Sequence, residues 1–206
     1  MFQDRIEAGQ KLAKSLEKYK DQEDTVILAI PRGGVVLGFE VAKSLNLPLD
    51  IAVVRKIGYP GNPEFAAGAV DQDGKILKNP EAGVQDEYLN KEAEKEKKEI
   101  ERRIKEYRGG KEELDFKGKT MILVDDGIAT GLTTLKAVGF VKSRGAKKVI
   151  LATPVIARDT AERIKREVDE LIFLEVPELF FAISQFYDFF PQVEDKEVKE
   201  ILTKSR

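Results

Sequence analysis

The chain has 206 residues, 42% hydrophobic and 35% charged, with a formal net charge of -2, which suits one domain with a full core and gives no bulk attraction to nucleic acid or membrane. It contains neither cysteine nor histidine, which excludes disulfides, thiolate chemistry and imidazole ligands, so that any metal must be held by oxygen. No apolar run approaches membrane-spanning length and the charged start (Asp4, Arg5, Glu7) lacks a signal-peptide core, so the expected location is cytoplasmic.

Short β-rich runs alternate with helical stretches, the pattern of an α/β domain with a mainly parallel sheet. Residues 5–19 have the spacing of an amphipathic helix, with Ile6, Leu12, Leu16 and Tyr19 towards the core. Thr25–Ile30 is a continuous apolar run bounded by Pro31 and reads as a buried strand. A helix over 34–45 and a second strand, Ile51–Val54, follow. From Gly58 to Val70, glycine, proline and asparagine predict a loop. Asp73-Gly74 suggests a short hairpin. Residues 86–108 form a charged helix with Tyr88, Leu89, Ile100, Ile104 and Tyr107 as its apolar contacts and with i,i+4 pairs such as Glu94–Lys98, Glu99–Arg103 and Glu101–Lys105. Further strands are expected at Thr120–Val124, Val149–Ala152 and Leu171–Leu174, with helices at Thr133–Arg144 and Ala157–Val168.

The most informative stretch is Met121 to Thr134. An apolar strand ends in two adjacent carboxylates, Asp125 and Asp126, and a turn of small and hydroxyl residues leads into a helix marked by Leu135, Val138 and Val141. Acids able to hold ribose hydroxyls, beside first-turn N–H groups able to hold a phosphate, suggest a sugar-phosphate ligand. Leu132 stands where a Walker A loop needs lysine, and no Gly-x-Gly-x-x-Gly is present. The alternative is an ordinary strand-to-helix turn, with Asp126 as cap and Gly127 permitting the bend. Pro31-Arg32-Gly33-Gly34 follows the first strand, where two glycines allow close backbone approach to an anion and Arg32 offers a guanidinium fork. Arg55 and Lys56 close the second strand, at the end where open α/β sheets bind ligands.

Ile122 to Thr134 resembles the phosphoribosyl-pyrophosphate (PRPP) motif of the type I phosphoribosyltransferases. The words around Arg55–Val70 and Pro31–Gly34 are similar to a bacterial and archaeal subgroup of that family, over most of the chain. The resemblance implies a type I phosphoribosyltransferase-like α/β fold with an inserted charged helix and a C-terminal hood. One domain would span 1–206, with 57–118 carrying a mobile loop, hairpin and charged helix, and 176–206 the hood and C-terminal helix. It implies Asp125 and Asp126 as the catalytic acids on the ribose hydroxyls. Ala129, Thr130, Gly131, Leu132, Thr133 and Thr134 would wrap the 5′-phosphate, and Arg32, Gly33, Gly34, Arg55 and Lys56 the pyrophosphate. Mg2+ would be carried mainly by PRPP rather than by protein ligands, and a homodimer is the assembly common among relatives. Gly127 stands where the family usually has a branched apolar residue, and is expected to loosen the turn without removing a contact.

The reaction implied is displacement of pyrophosphate from PRPP by a nitrogenous base. Ala129 occupies the position where hypoxanthine-guanine enzymes carry an aspartate, which disfavours a 6-oxopurine acceptor; Glu64 is a substitute base only in principle. Phe180, Phe181, Phe186, Tyr187, Phe189 and Phe190 could form a hood over a planar base, or serve as core. The alternative function is a PRPP-binding sensor without turnover.

Overall fold

The structure, a computed structural model, describes residues 1–205. Arg206, the last residue of the expected 176–206 segment, lies outside the described residues. Among the described residues no helix is long and apolar enough to cross a membrane.

A mainly parallel central sheet flanked by helices forms the core. Its strands are β1 (Thr25–Ala29), β2 (Leu49–Ile51), β6 (Thr120–Val124), β7 (Lys148–Val155) and β8 (Glu170–Glu175), in the order β2-β1-β6-β7-β8 with every neighbour parallel. β1 and β6 are buried throughout, which is why their sequences read as unbroken apolar runs. Alternate side chains serve opposite faces. Ile27, Ala29, Ile122 and Val124 pack with α1 (Arg5–Ser15) and α2 (Gly33–Leu45). Val26, Leu28, Met121 and Leu123 pack with α4 (Leu132–Ser143) and α5 (Arg158–Ile164). From β1 the chain moves one way, to β2; from β6 it moves the other, to β7 and β8. The reversal falls between β1 and β6, and open α/β sheets bind ligands outside the carboxyl ends of strands at such a switch point.

Several boundaries move. α1 ends at Ser15, and Glu17–Tyr19 form a separate 3-10 turn. The expected second strand divides: β2 ends at Ile51, and Val54 begins a different sheet. The expected loop is instead largely a β-hairpin, β3 (Val54–Tyr59) against β4 (Asn62–Asp71), extended by β5 (Ile76–Lys78) across the Asp73-Gly74 turn. Pro60-Gly61 supplies the tight turn between Tyr59 and Asn62, with Gly61 at φ 77° as the third residue of a type II turn requires. A buried ion pair, Lys136 Nζ to Asp71 Oδ2 at 2.7 Å, ties this sheet to α4.

The charged helix α3 spans Asp86–Arg108 and buries Leu89, Ala93, Ile100 and Tyr107. Of the anticipated pairs, Glu99–Arg103 forms at 2.7 Å. After β8 the chain runs through a 3-10 turn, Ile183–Phe186, to α6 (Asp195–Lys204). The aromatics of this stretch divide: Phe186 and Tyr187 are buried, whereas Phe181 and Phe189 are exposed.

Candidate active site

The two glycine-bearing turns meet at the switch point. β1 and β6 end side by side, Ala29 opposite Val124, and Ile30 donates its N–H to the Val124 carbonyl at 2.9 Å. The Pro31–Arg32 peptide between them and α2 is cis. A Cβ on Gly34 would lie 2.6 Å from the Val124 carbonyl oxygen, and one on Gly33 only 1.8 Å from Asp126 Oδ2. Glycine is therefore required at both positions by space, because the start of α2 rests directly on the acidic turn.

The two acids differ. Asp126 is buried, and its Oδ2 accepts from Arg5 Nε at 2.8 Å. Its carbonyl accepts from the Tyr187 hydroxyl at 2.6 Å. Asp125 keeps partial exposure, and its Oδ1 accepts the Asp126 N–H at 2.9 Å. Burial pushes the Asp125 carboxyl well above the usual carboxylate range, and the adjacent Asp126 charge adds to the rise. Burial raises Asp126 as well, opposed by the Arg5 guanidinium. Hydroxyl donors from a ligand would favour the ionised form of both.

Beyond the acids, Gly131 takes φ 72° and caps α4 without a side chain, leaving first-turn N–H groups at Leu132, Thr133 and Thr134 without a capping oxygen. The Thr160 hydroxyl holds the Ala129 carbonyl at 2.5 Å, and Arg163 holds that of Thr130. The loop is thus fixed from α5 with its N–H groups at the α4 end. Gly127 turns out to matter for packing: a Cβ there would lie 2.4 Å from Ile183 Cγ2. The expectation that it merely loosens the turn is replaced by a steric role, admitting Ile183 of the C-terminal stretch.

The cations are placed less simply. Arg32 Nη1 lies 3.5 Å from Asp195 Oδ1 at the start of α6. Asp195 also accepts from the Tyr107 hydroxyl at 2.5 Å and from Arg102 at 2.8 Å, and its carboxyl is lowered to about 2: burial raises it, and the hydrogen bonds from Tyr107 and Arg102 outweigh that. Arg55 and Lys56 do not face one crevice together, because strand alternation sends them to opposite faces. Arg55 pairs with Glu96 of α3 at 2.7 Å, and Lys56 with Glu64 at 3.3 Å.

A crevice of about 490 Å³ beside the α4 loop is lined by Ala129, Thr130, Arg158, Arg163, Pro177 and Phe180, among others. A larger cleft of about 710 Å³ lies between α5 and β8, lined by Lys165, Leu171 and Phe173 among others, and contains neither acid of the turn. No cluster of three or more carboxylate, histidine or cysteine side chains able to hold a metal occurs among the described residues.

Residues 3–188 match the profile of the "Phosphoribosyl transferase domain". The chain belongs to that family. Over its full length it is 40% identical to a Mycobacterium tuberculosis (strain H37Rv) protein named "Putative phosphoribosyl transferase", covering 47% of that protein. It thus spans about half the length of the curated relatives it matches. The crystal structure of TT1426 from Thermus thermophilus is 39% identical, with TM-score 0.84 over 99% of this chain and 98% of that one. A purine phosphoribosyltransferase from Pyrococcus horikoshii, 21% identical with TM-score 0.51 over 92% of this chain and 93% of that one, shares the fold.

Arg5 was not singled out by sequence reasoning. It is the first residue of α1, after the Asp4 cap, where the helix dipole disfavours a cation. That mismatch was the available signal. Asp195 and Ile183 carried none, since their partners lie far away in the chain.

Proposed function

We propose that this chain is a phosphoribosyltransferase of the pentosyltransferase type, displacing pyrophosphate from PRPP with a nitrogenous base. The observation that carries the reading is the meeting of the Asp125–Asp126 turn with the Gly33–Gly34 turn between adjacent parallel strands. Asp125 and Asp126 accept from the ribose hydroxyls, and the N–H groups of 129–134 hold the 5′-phosphate. Arg32 and the amides of Gly33 and Gly34 receive the pyrophosphate, with Arg55 brought in from the β3–β4 hairpin; Lys56, on the opposite face of that strand, is not part of this site.

Loss of pyrophosphate from C1 passes through an oxocarbenium-like transition state, so charge placement and exclusion of water supply most of the catalysis. A chain without histidine can do both. Mg2+ bound to PRPP would neutralise charge on the leaving group. The oxygen-only donor set suits this arrangement, the phosphates bringing most of the metal's ligands. The β3–β4 hairpin takes the place of the family's mobile loop, and residues 176–205 act as the hood. Pro177 and Phe180 beside Ala129 form the acceptor crevice, and the missing aspartate at Ala129 argues against a 6-oxopurine.

One observation favours a sensor that binds PRPP without turnover: Arg32, Arg55 and Lys56 each already face a carboxylate. Incubation with PRPP, magnesium and a panel of purines, pyrimidines and simple amines separates the two, since transfer releases pyrophosphate and sensing does not. Asp125→Asn with Asp126→Asn is expected to weaken PRPP–Mg binding by calorimetry at least tenfold, by roughly the loss of one charge-assisted hydrogen bond. Unchanged affinity in a folded double variant would remove the acids from the ribose site.

A further inference from the structure

We propose that Arg5 is a positioning residue of the ribose site: one guanidinium fixes the Asp126 carboxylate and, through a second nitrogen, the C-terminal segment at Pro191. The inference rests on the functional reading above and extends it to a residue outside the family motif.

Three contacts converge on this side chain. Nε donates to Asp126 Oδ2 at 2.8 Å, and Nη1 donates to the Pro191 carbonyl at 2.6 Å. The guanidinium carbon lies 3.7 Å from the centre of the Phe190 ring, a stacking distance. Phe190 in turn packs on Tyr187, whose hydroxyl holds the Asp126 carbonyl. Both side chains of the ion pair are nearly buried, at 9% and 12% exposure. On the open side, Gly33 admits the carboxylate by lacking a Cβ.

The arrangement has a chemical consequence. A ribose hydroxyl donates to an ionised carboxylate, and a protonated one loses acceptor capacity. Asp126 is buried, which favours its protonation, and the Arg5 guanidinium opposes that. The charged groups facing it are Arg5 from α1 and Asp125 from its own turn; Tyr187 contacts its carbonyl, and the adjoining start of α2 presents only glycines. Among the described residues, Arg5 is the cation that opposes protonation. It also occupies Oδ2, so Oδ1 is the oxygen left to meet a hydroxyl. A lysine could supply the charge, but not two directed donors with a flat face for Phe190.

The test compares Arg5→Met, Arg5→Lys and wild type by calorimetry with PRPP–Mg between pH 6 and 8.5, and by carbon-13 titration of the Asp126 carboxyl in the ligand-free protein. Arg5→Met is expected to raise the Asp126 midpoint, so that its affinity deficit relative to wild type is greatest at pH 6. That deficit should shrink towards pH 8.5, by at most about tenfold for a midpoint shift of about one unit. Arg5→Lys should restore the pH behaviour while leaving a uniform deficit. A purely structural role would give a deficit independent of pH and an unmoved titration, and either result overturns the proposal. Should Arg5→Met fail to fold, Arg5→Gln, neutral but still a donor, takes its place with the same outcomes. Wild type that does not bind PRPP would sink the functional reading, whereas the ligand-free titration would still decide whether Arg5 controls Asp126.

Discussion

The acids and first-turn amides of the proposed PRPP site lie in one unbroken stretch, Asp125 to Thr134, where β6 passes into α4. The cations expected beside it come from three places: Arg32 from the turn after β1, Arg55 and Lys56 from opposite faces of β3. The first side is set by local chain geometry and held by buried groups. The second is held by ion pairs to Asp195, Glu96 and Glu64, acids on α6, α3 and β4. A ligand arriving at the acid side finds a prepared surface. One arriving at the cation side must compete with carboxylates already present, so the two halves contribute differently to affinity.

The difference predicts unequal sensitivity to substitution. On the acid side the largest effect is expected from Gly33→Ala. Its methyl would stand 1.8 Å from Asp126 Oδ2 and 3.0 Å from Arg5 Nε, so the carboxylate, the guanidinium or the start of α2 must move. Overpacking of this kind costs about 1–3 kcal/mol, and here it also displaces an acid of the proposed ribose site. PRPP affinity by calorimetry should fall by more than tenfold together with a lowered melting temperature. Wild-type affinity in Gly33→Ala would show that the turn is looser than its geometry implies.

A smaller and oppositely signed pair of effects should mark the cation side. Arg55→Ala removes a charged donor worth about 1.5–3 kcal/mol if it engages pyrophosphate, raising the dissociation constant for PRPP roughly tenfold. Glu96→Gln removes the competitor held 2.7 Å from Arg55 Nε. Partly exposed pairs of this type contribute about 0–1 kcal/mol, so affinity should improve by up to about fivefold. Loss of affinity in both variants would mean that the ion pair itself, rather than the freed arginine, shapes the site.

The same division explains what could be read from the sequence. β1, β6 and β7 were legible because strands buried on both faces leave continuous apolar runs. The acid side was legible because Asp125, Asp126, Gly131 and Thr133 are neighbours in the chain, and the expected α2, α3 and α4 lie within a residue or two of their observed limits. The β3–β4 hairpin was not, since Gly58, Pro60, Gly61 and Asn62 dilute its strand character, although Pro60-Gly61 is itself a turn signal. The separation of Arg55 from Lys56 follows from that error: placed in a strand, adjacent residues point apart. Arg5 and Asp195 were hidden for a different reason. Their roles depend on contacts across 121 residues to Asp126 and 93 residues to Arg102, and no local pattern encodes such distances.

The smallest effect tests whether the result at Gly33 belongs to the site or to glycine replacement in general. Gly139 lies in the middle of α4, the helix whose first turn is proposed to hold the phosphate, yet a Cβ there would meet nothing within 4 Å. The position is exposed and helical, so alanine would reduce the freedom of the unfolded chain without a steric penalty. The expected gain is about 0.5–1 kcal/mol, which for a chain of this size is a rise in melting temperature of roughly 1–4 °C. PRPP affinity should not change. If Gly139→Ala instead weakened binding as Gly33→Ala is expected to, the loss could not be assigned to the collision with Asp126. A shift along α4 transmitted to Leu132–Thr134 would then be the common cause, and the acid side would owe its geometry to the whole helix rather than to the contact between its two turns.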